Sequence, residues 1–112
     1  MADCLFCRIV AGEIPADVVH DSPRFLGFRD IDPKAPTHML VIPKGHVASL
    51  NEAEDEALVG GLLQVAREVA AAEGISASGY RVVLNTNADG GQTVFHLHAH
   101  VLGGRAMGWP PG

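Results

Sequence analysis

The chain has 112 residues, 47% of them hydrophobic and 19% charged, with a formal charge of −5. That balance excludes intrinsic disorder, and the length reads as one domain, residues 1–112, able to bury roughly two thirds of its unfolded surface. The acidic surplus argues against broad nucleic-acid or anionic-membrane binding, which need a basic surface, while leaving room for a small local anion site. No run of about 18 apolar residues suggests a membrane span. The opening MADCLFCRIVAGEIP lacks the basic flank and long apolar run of a signal peptide. Two cysteines are too few for a disulfide framework, so a reducing, cytoplasmic setting is expected.

Leu5 to Ala11 reads as a short helix. Strand-like runs follow at DVVH (17–20), RFLGFRDI (24–31) and THMLVIP (37–43), separated by the turn-rich DSP and DPKAP. His20, alone after DVV, reads as a surface residue. The longest helical pattern is Asn51 to Gly74. Asn51 is a candidate cap, acidic residues at 52 and 54–56 suit the positive helix end, and Gly74 is a natural stop. Leu58, Leu62, Val65 and Val69 recur at three- and four-residue steps as an apolar stripe. Gly60 and Gly61 inside it are either a tolerated weakness or a place where another backbone, such as a second subunit's helix, comes close. Two more strands are expected at YRVVLN (80–85) and VFHLHAHVL (94–102). The fold class is therefore α+β: an antiparallel sheet of about five strands, with one long and one short helix covering one face.

Three of the six histidines stand at alternate positions of FHLHAHVLGG. In a strand, His96, His98 and His100 share one face, while Leu97, Ala99 and Val101 point into the core. Three imidazoles in a row are hard to explain as packing, because each brings two ring nitrogens that need partners. Either a His-x-His pair helps to hold a catalytic metal, or the imidazoles act directly as nucleophile and proton donor. The preceding NTNADGGQTVFH offers Asn85, Gln92 and Thr93 as donors beside a Gly90-Gly91 turn. Alone that turn suggests a hairpin, but next to the histidine row it suggests a phosphate cradle. No P-loop is present, so a magnesium-dependent kinase-type site is not indicated. Asp30 and Asp32, in DID, read as two surface carboxylates before they read as a metal site.

HLHAHVL matches the alternating His-hydrophobic signature of the histidine triad superfamily. EIPADVV, DIDPKAPTHMLVIPKGH, GGQTVFHLHAHVLGGR and the terminal WPPG are similar to its HINT-like purine nucleoside phosphoramidase branch. The likeness runs from about Cys4 to Gly112. It implies a homodimer that cleaves a P–N bond and releases a nucleoside monophosphate and an amine. By position, His98 would be the nucleophile that forms a nucleotidyl-histidine, with its other ring nitrogen protonated and held by a backbone carbonyl. His100 would bind phosphate and serve the leaving group, and His38 would orient the nucleophile. Asp30 matches the residue that holds the ribose. Leu5, Phe6, Ile9, Phe28 and Ile31 match the base pocket, although a structural core is the competing reading for those five. Trp109 matches a tail segment that reaches the partner subunit's site.

CLFC is a Cys-x-x-Cys half-site that needs two more ligands for tetrahedral zinc. Two buried thiols would look the same, and a redox pair is disfavoured because the surrounding pattern is not βαβ. A similar subset of the family completes a structural zinc site, here Cys4, Cys7, His46 and His96, and needs no metal for the chemistry. The alternatives left open are a dinucleoside polyphosphate hydrolase, a non-catalytic nucleotide-binding module, and a zinc hydrolase using the triad as ligands.

Overall fold

The structure, a computed structural model, describes residues 3–112. Its sheet has five antiparallel strands: β1 (Val18–Asp21), β2 (Phe25–Arg29), β3 (Thr37–Pro43), β4 (Tyr80–Val83) and β5 (Ala99–Gly103), in the order β1-β2-β3-β5-β4. Three α-helices accompany it: α1 (Leu5–Val10), α2 (Glu56–Ala72) and the one-turn α3 (Asn87–Gly90). The α+β class and the antiparallel five-strand sheet match the sequence reading.

The two main helices do not cover one face, as expected from sequence, but opposite faces. β3 explains why. Its run His38 to Pro43 is buried throughout, without the alternation of a half-solvated strand. Met39 and Val41 face α2, in a core with Leu62, Val65, Val69, Ala99 and Val101. Leu40 and Ile42 face the other way and pack with Leu26, Phe28 and Phe6 of α1. His38, two residues before Leu40 on β3, and His100, the ladder partner of Leu40 on β5, therefore lie on the α1 face. The stripe on α2 closes the opposite face, and burying each of its large aliphatic side chains contributes about 1.5–3 kcal/mol.

The long helix starts later than Asn51. Ser49 caps a short 3-10 turn at Leu50–Glu52, accepting from the Asn51 amide at 3.2 Å and donating to the Glu52 carboxylate. A second cap, Asp55, accepts from the Ala57 amide at 2.9 Å and opens α2. Backbone N–H groups of Leu58 and Ala57 hold the Asp55 carboxyl below its usual range. Gly74 ends the segment in the left-handed region, at φ 78°. His20 is half-buried rather than a free surface residue, with its Nε2 2.9 Å from Ser22 Oγ.

The glycine pair resolves into two different residues. A Cβ on Gly61 would stand 2.8 Å from the buried Phe25 ring, whereas one on Gly60 would meet nothing within 4 Å. Gly61 thus admits an aromatic ring of the same chain, and Gly60 faces open space. Gly61→Ala is expected to lower stability by about 1–3 kcal/mol through displacement of that ring. Gly60→Ala should gain up to about 1 kcal/mol of helix propensity. Thermal unfolding of both variants checks this, and a loss at Gly60 as well would place a further neighbour, such as a second copy, against that helix.

Candidate functional site

The histidine segment is less regular than a strand. Sheet pairing begins only at Ala99, and residues 94–98 run over the loop after β3, where the Leu97 amide donates to the Val47 carbonyl at 2.6 Å. The expected strand 94–102 is corrected accordingly. The irregularity has a use. The His96 carbonyl accepts from His98 Nδ1–H at 2.7 Å, a bond that a regular ladder would give to a neighbouring strand. Since the carbonyl can only accept, His98 Nδ1 carries the proton and Nε2 keeps its lone pair. Burial pushes the His98 pKa down, holding the ring neutral near pH 7. Nε2 has no hydrogen-bond partner among the described residues.

His38 and His100 stand beside it, with the His98 and His100 ring centres 4.9 Å apart. The Lys34 amide donates to His38 Nδ1 at 3.0 Å, so the His38 proton sits on Nε2. From there it points at His100 Nδ1, 3.0 Å away, and toward Asp30 Oδ2 at 3.4 Å. His100 is thereby oriented with Nδ1 as acceptor and Nε2 as the outward donor. Burial first, then the charges that His98 and His38 would carry, push His100 down to about 4. Asp30, His38 and His100 place three potential ligand atoms within 4.8 Å of one another. A protonated His38 Nε2 is not a ligand, however, so this cluster works as a directed hydrogen-bond chain. His96 and His100 belong to different ligand clusters, the first with Cys4, Cys7 and His46 and the second with Asp30 and His38, so the triad does not form one set of ligand atoms.

His96 turns away to a different task. Its Nε2–H donates to the Pro43 carbonyl at 2.8 Å, leaving Nδ1 unprotonated among Cys4 Sγ at 3.3 Å, Cys7 Sγ at 3.5 Å and His46 Nδ1 at 3.2 Å. Cys7 Sγ lies 3.4 Å from His46 Nδ1. A tetrahedral ion with ordinary Zn–S and Zn–N bonds separates its ligand atoms by roughly 3.3–3.8 Å. The four side chains fit such an ion, and the Pro43 carbonyl supplies the outer partner that fixes a ligand imidazole.

The base-pocket residues also assemble. Leu5, Phe6, Ile9, Phe28 and Ile31 line one cavity of about 560 Å³, with Asp30 at its rim. Phe6 is buried and sets its edge against both His96 and His98, ring centres 5.9 and 5.1 Å away. Ile31 lines the cavity although its side chain is fully exposed to solvent. Gln92 departs from the expectation of a phosphate donor. Its carboxamide is buried, accepting from the Asn87 amide at 2.9 Å and donating to the Ala48 and Val94 carbonyls at 2.8 and 3.1 Å. It clasps the loop before the histidines. The glycine turn is the one-turn α3 closed by a left-handed Gly91. Asn85 is half-buried two residues beyond β4, and Thr93 lines a second cavity with Cys4 and His46. Trp109 is exposed and lines neither of these two cavities. Sequence reading expected a backbone carbonyl on His98 without naming His96 as its source, and it missed the Lys34 amide and the Pro43 carbonyl, because backbone groups leave no signature in residue type.

Comparison with known proteins settles the family. The HIT domain model matches residues 11–107. The chain belongs to the HIT domain family. It is 53% identical to an uncharacterized HIT-like protein of Synechococcus elongatus, over 98% of this chain and 97% of the relative. The crystal structure of a HIT family hydrolase from Legionella pneumophila is 54% identical, with a TM-score of 0.94 over 98% of this chain and all of that one. A zinc-bound histidine triad family protein from Mycobacterium smegmatis is 37% identical, with a TM-score of 0.84 over 93% of this chain and 76% of its own. The α+β sheet and histidine row described above are thus this HIT chain's version of a shared architecture.

The depressed pKa of His100 links stability to pH. The unfolded chain, with histidine near 6.5, takes up this proton before the folded HIT domain does at about 4. Stability from this group is complete above pH 6.5 and drains as pH falls toward about 4. His100→Asn should therefore flatten the fall in melting temperature across that window, as thermal unfolding at half-unit pH steps will read. An unchanged slope would show that other groups govern it.

Proposed function

We propose that this HIT protein is a phosphoramidase of the HINT-like branch, hydrolysing purine nucleoside 5′-phosphoramidates to the nucleoside monophosphate and a free amine. The observation that carries the reading is the His98 imidazole, neutral, with Nδ1–H fixed on the His96 carbonyl and Nε2 unpartnered. A related HIT family hydrolase of nearly the same length supports the hydrolytic class. The apolar cavity takes the base, since its volume of about 560 Å³ lies in the ordinary range for small-molecule pockets. Asp30 at its rim accepts from the ribose hydroxyls, and the phosphoryl group lies over His98 and His100 with Asn85 and Thr93 as further donors.

The chemistry then follows the tautomers. His98 Nε2 attacks the α-phosphorus, a P–Nε2 bond forms and the P–N bond to the amine breaks. Neutral His100, its Nδ1 accepting from His38 Nε2–H, donates its Nε2–H to a phosphoryl oxygen and stabilises the charge that builds there. A solvent proton on the departing nitrogen makes it a competent leaving group, and it departs as the free amine. Water next attacks the same phosphorus, the P–Nε2 bond breaks, the water's proton passes to solvent, and the monophosphate leaves His98 bare at Nε2. His38, held by the Lys34 amide, keeps His100 in the donor orientation throughout.

The four-ligand cluster holds a structural zinc, an assignment supported by the ligand-atom spacing and by the zinc-bound relative. Zinc there crosslinks α1 to the histidine segment and takes no part in bond making. A homodimer belongs to the same reading. β4 pairs on one side only, and its half-buried residues leave an outer edge suited to a second copy. Two free thiols fit the reducing cytoplasm.

The test is rapid-quench intact-mass analysis with adenosine 5′-phosphoramidate. The wild type should show a transient adduct of one AMP. His98→Ala should show none and lose at least about a thousandfold in kcat, the scale of removing a nucleophile. Turnover surviving in His98→Ala would overturn the covalent mechanism, and a wild type that binds AMP without turnover would favour the binding-module reading.

A further inference from the structure

The metal cluster and the nucleotide cavity share α1. Cys4 and Cys7 face the cluster, while Leu5, Phe6 and Ile9 of the same six-residue helix line the cavity. A helix of six residues does not hold its shape alone in water. Its N-cap is Cys4, whose sulfur accepts from the Cys7 amide at 3.4 Å, so the capping group is itself a ligand atom. Phe6 of α1 packs its edge on His98, but the hydrogen bonds that orient the histidines come from elsewhere. His96 is pinned by the Pro43 carbonyl, His98 by the His96 carbonyl and His38 by the Lys34 amide.

We propose that the Cys4–Cys7–His46–His96 centre sets nucleotide affinity: a metal there latches α1 as the wall of the base cavity, while the catalytic histidines stay in place without it. Cys4 and Cys7 are then positioning residues for the base, acting through Leu5, Phe6 and Ile9. The inference rests on the nucleotide reading above and adds a control point to it. Access exists, because a second cavity of about 490 Å³ opens onto Cys4 and His46 and gives a chelator a route to the ligands.

The experiment uses the metal-loaded protein, the same sample treated with a chelator and a reducing agent, and that sample after zinc is returned. AMP binding is measured by calorimetry on each, beside metal content and circular dichroism. Removing the metal should weaken AMP binding about tenfold or more, the equivalent of ~1.4 kcal/mol, with full recovery on zinc return. Steady-state turnover of adenosine 5′-phosphoramidate should show KM rising by a similar factor with kcat nearly constant. Cys7→Ser should copy the chelated protein. Equal affinity with and without metal, a fall in kcat at constant KM, or global unfolding on chelation would each overturn the latch. Metal-loaded protein that fails to bind AMP would instead overturn the nucleotide reading beneath it.

Discussion

The site depends on one residue that is held three ways. The His96 ring gives one nitrogen to the Pro43 carbonyl and turns the other toward two cysteines and His46, and its backbone carbonyl fixes the proton of His98. A nucleophilic imidazole needs a bare, aimed nitrogen, and a neutral ring will present either nitrogen unless something chooses. Here a backbone carbonyl makes the choice, and a buried ring keeps that carbonyl still. The sheet leaves that carbonyl to the site because regular pairing starts three residues later, at Ala99.

Burial serves the chemistry as well as the fold. Because β3 is covered on both faces, the histidines that follow its α1-side parity sit in an environment that penalises charge. Each ring is held neutral, with its hydrogen-bond direction set by a backbone group or by the next ring. On the proposed reading, an incoming phosphoryl group meets the outward Nε2–H of His100 as its donor. In that proposal a donor already aimed by its neighbours needs no rearrangement when charge builds up on phosphorus. The −5 net charge of the chain is compatible with this, since the proposed anion site relies on oriented dipoles and not on a basic surface.

Much of this was legible in the sequence, for identifiable reasons. The alternation of His96, His98 and His100 and the apolar run of β3 pointed to the right segment and sheet. The resemblance brought Cys4, Cys7, His46 and His96 together although 92 positions separate the first from the last. What escaped depended on backbone groups or on competition between local bonds. The Ser49–Glu52 capping pair and Asp55 split a segment that periodicity joined into one helix. Gln92 looked like a donor for phosphate because its type allows it, yet three backbone groups claim its amide first. Two helices on one face was the simple reading. It missed that an unbroken apolar strand needs cover on both sides.

The proposed chemistry turns on the fixed tautomer of the His98 ring, which ¹⁵N-edited NMR of the histidine side chains at neutral pH reads out. The structure predicts a neutral His98 protonated at Nδ1 and bare at Nε2, unchanged when the sample is taken from pH 7 to pH 8. A His98 found as the Nε2–H tautomer, as a mixture, or as an imidazolium at neutral pH would contradict it.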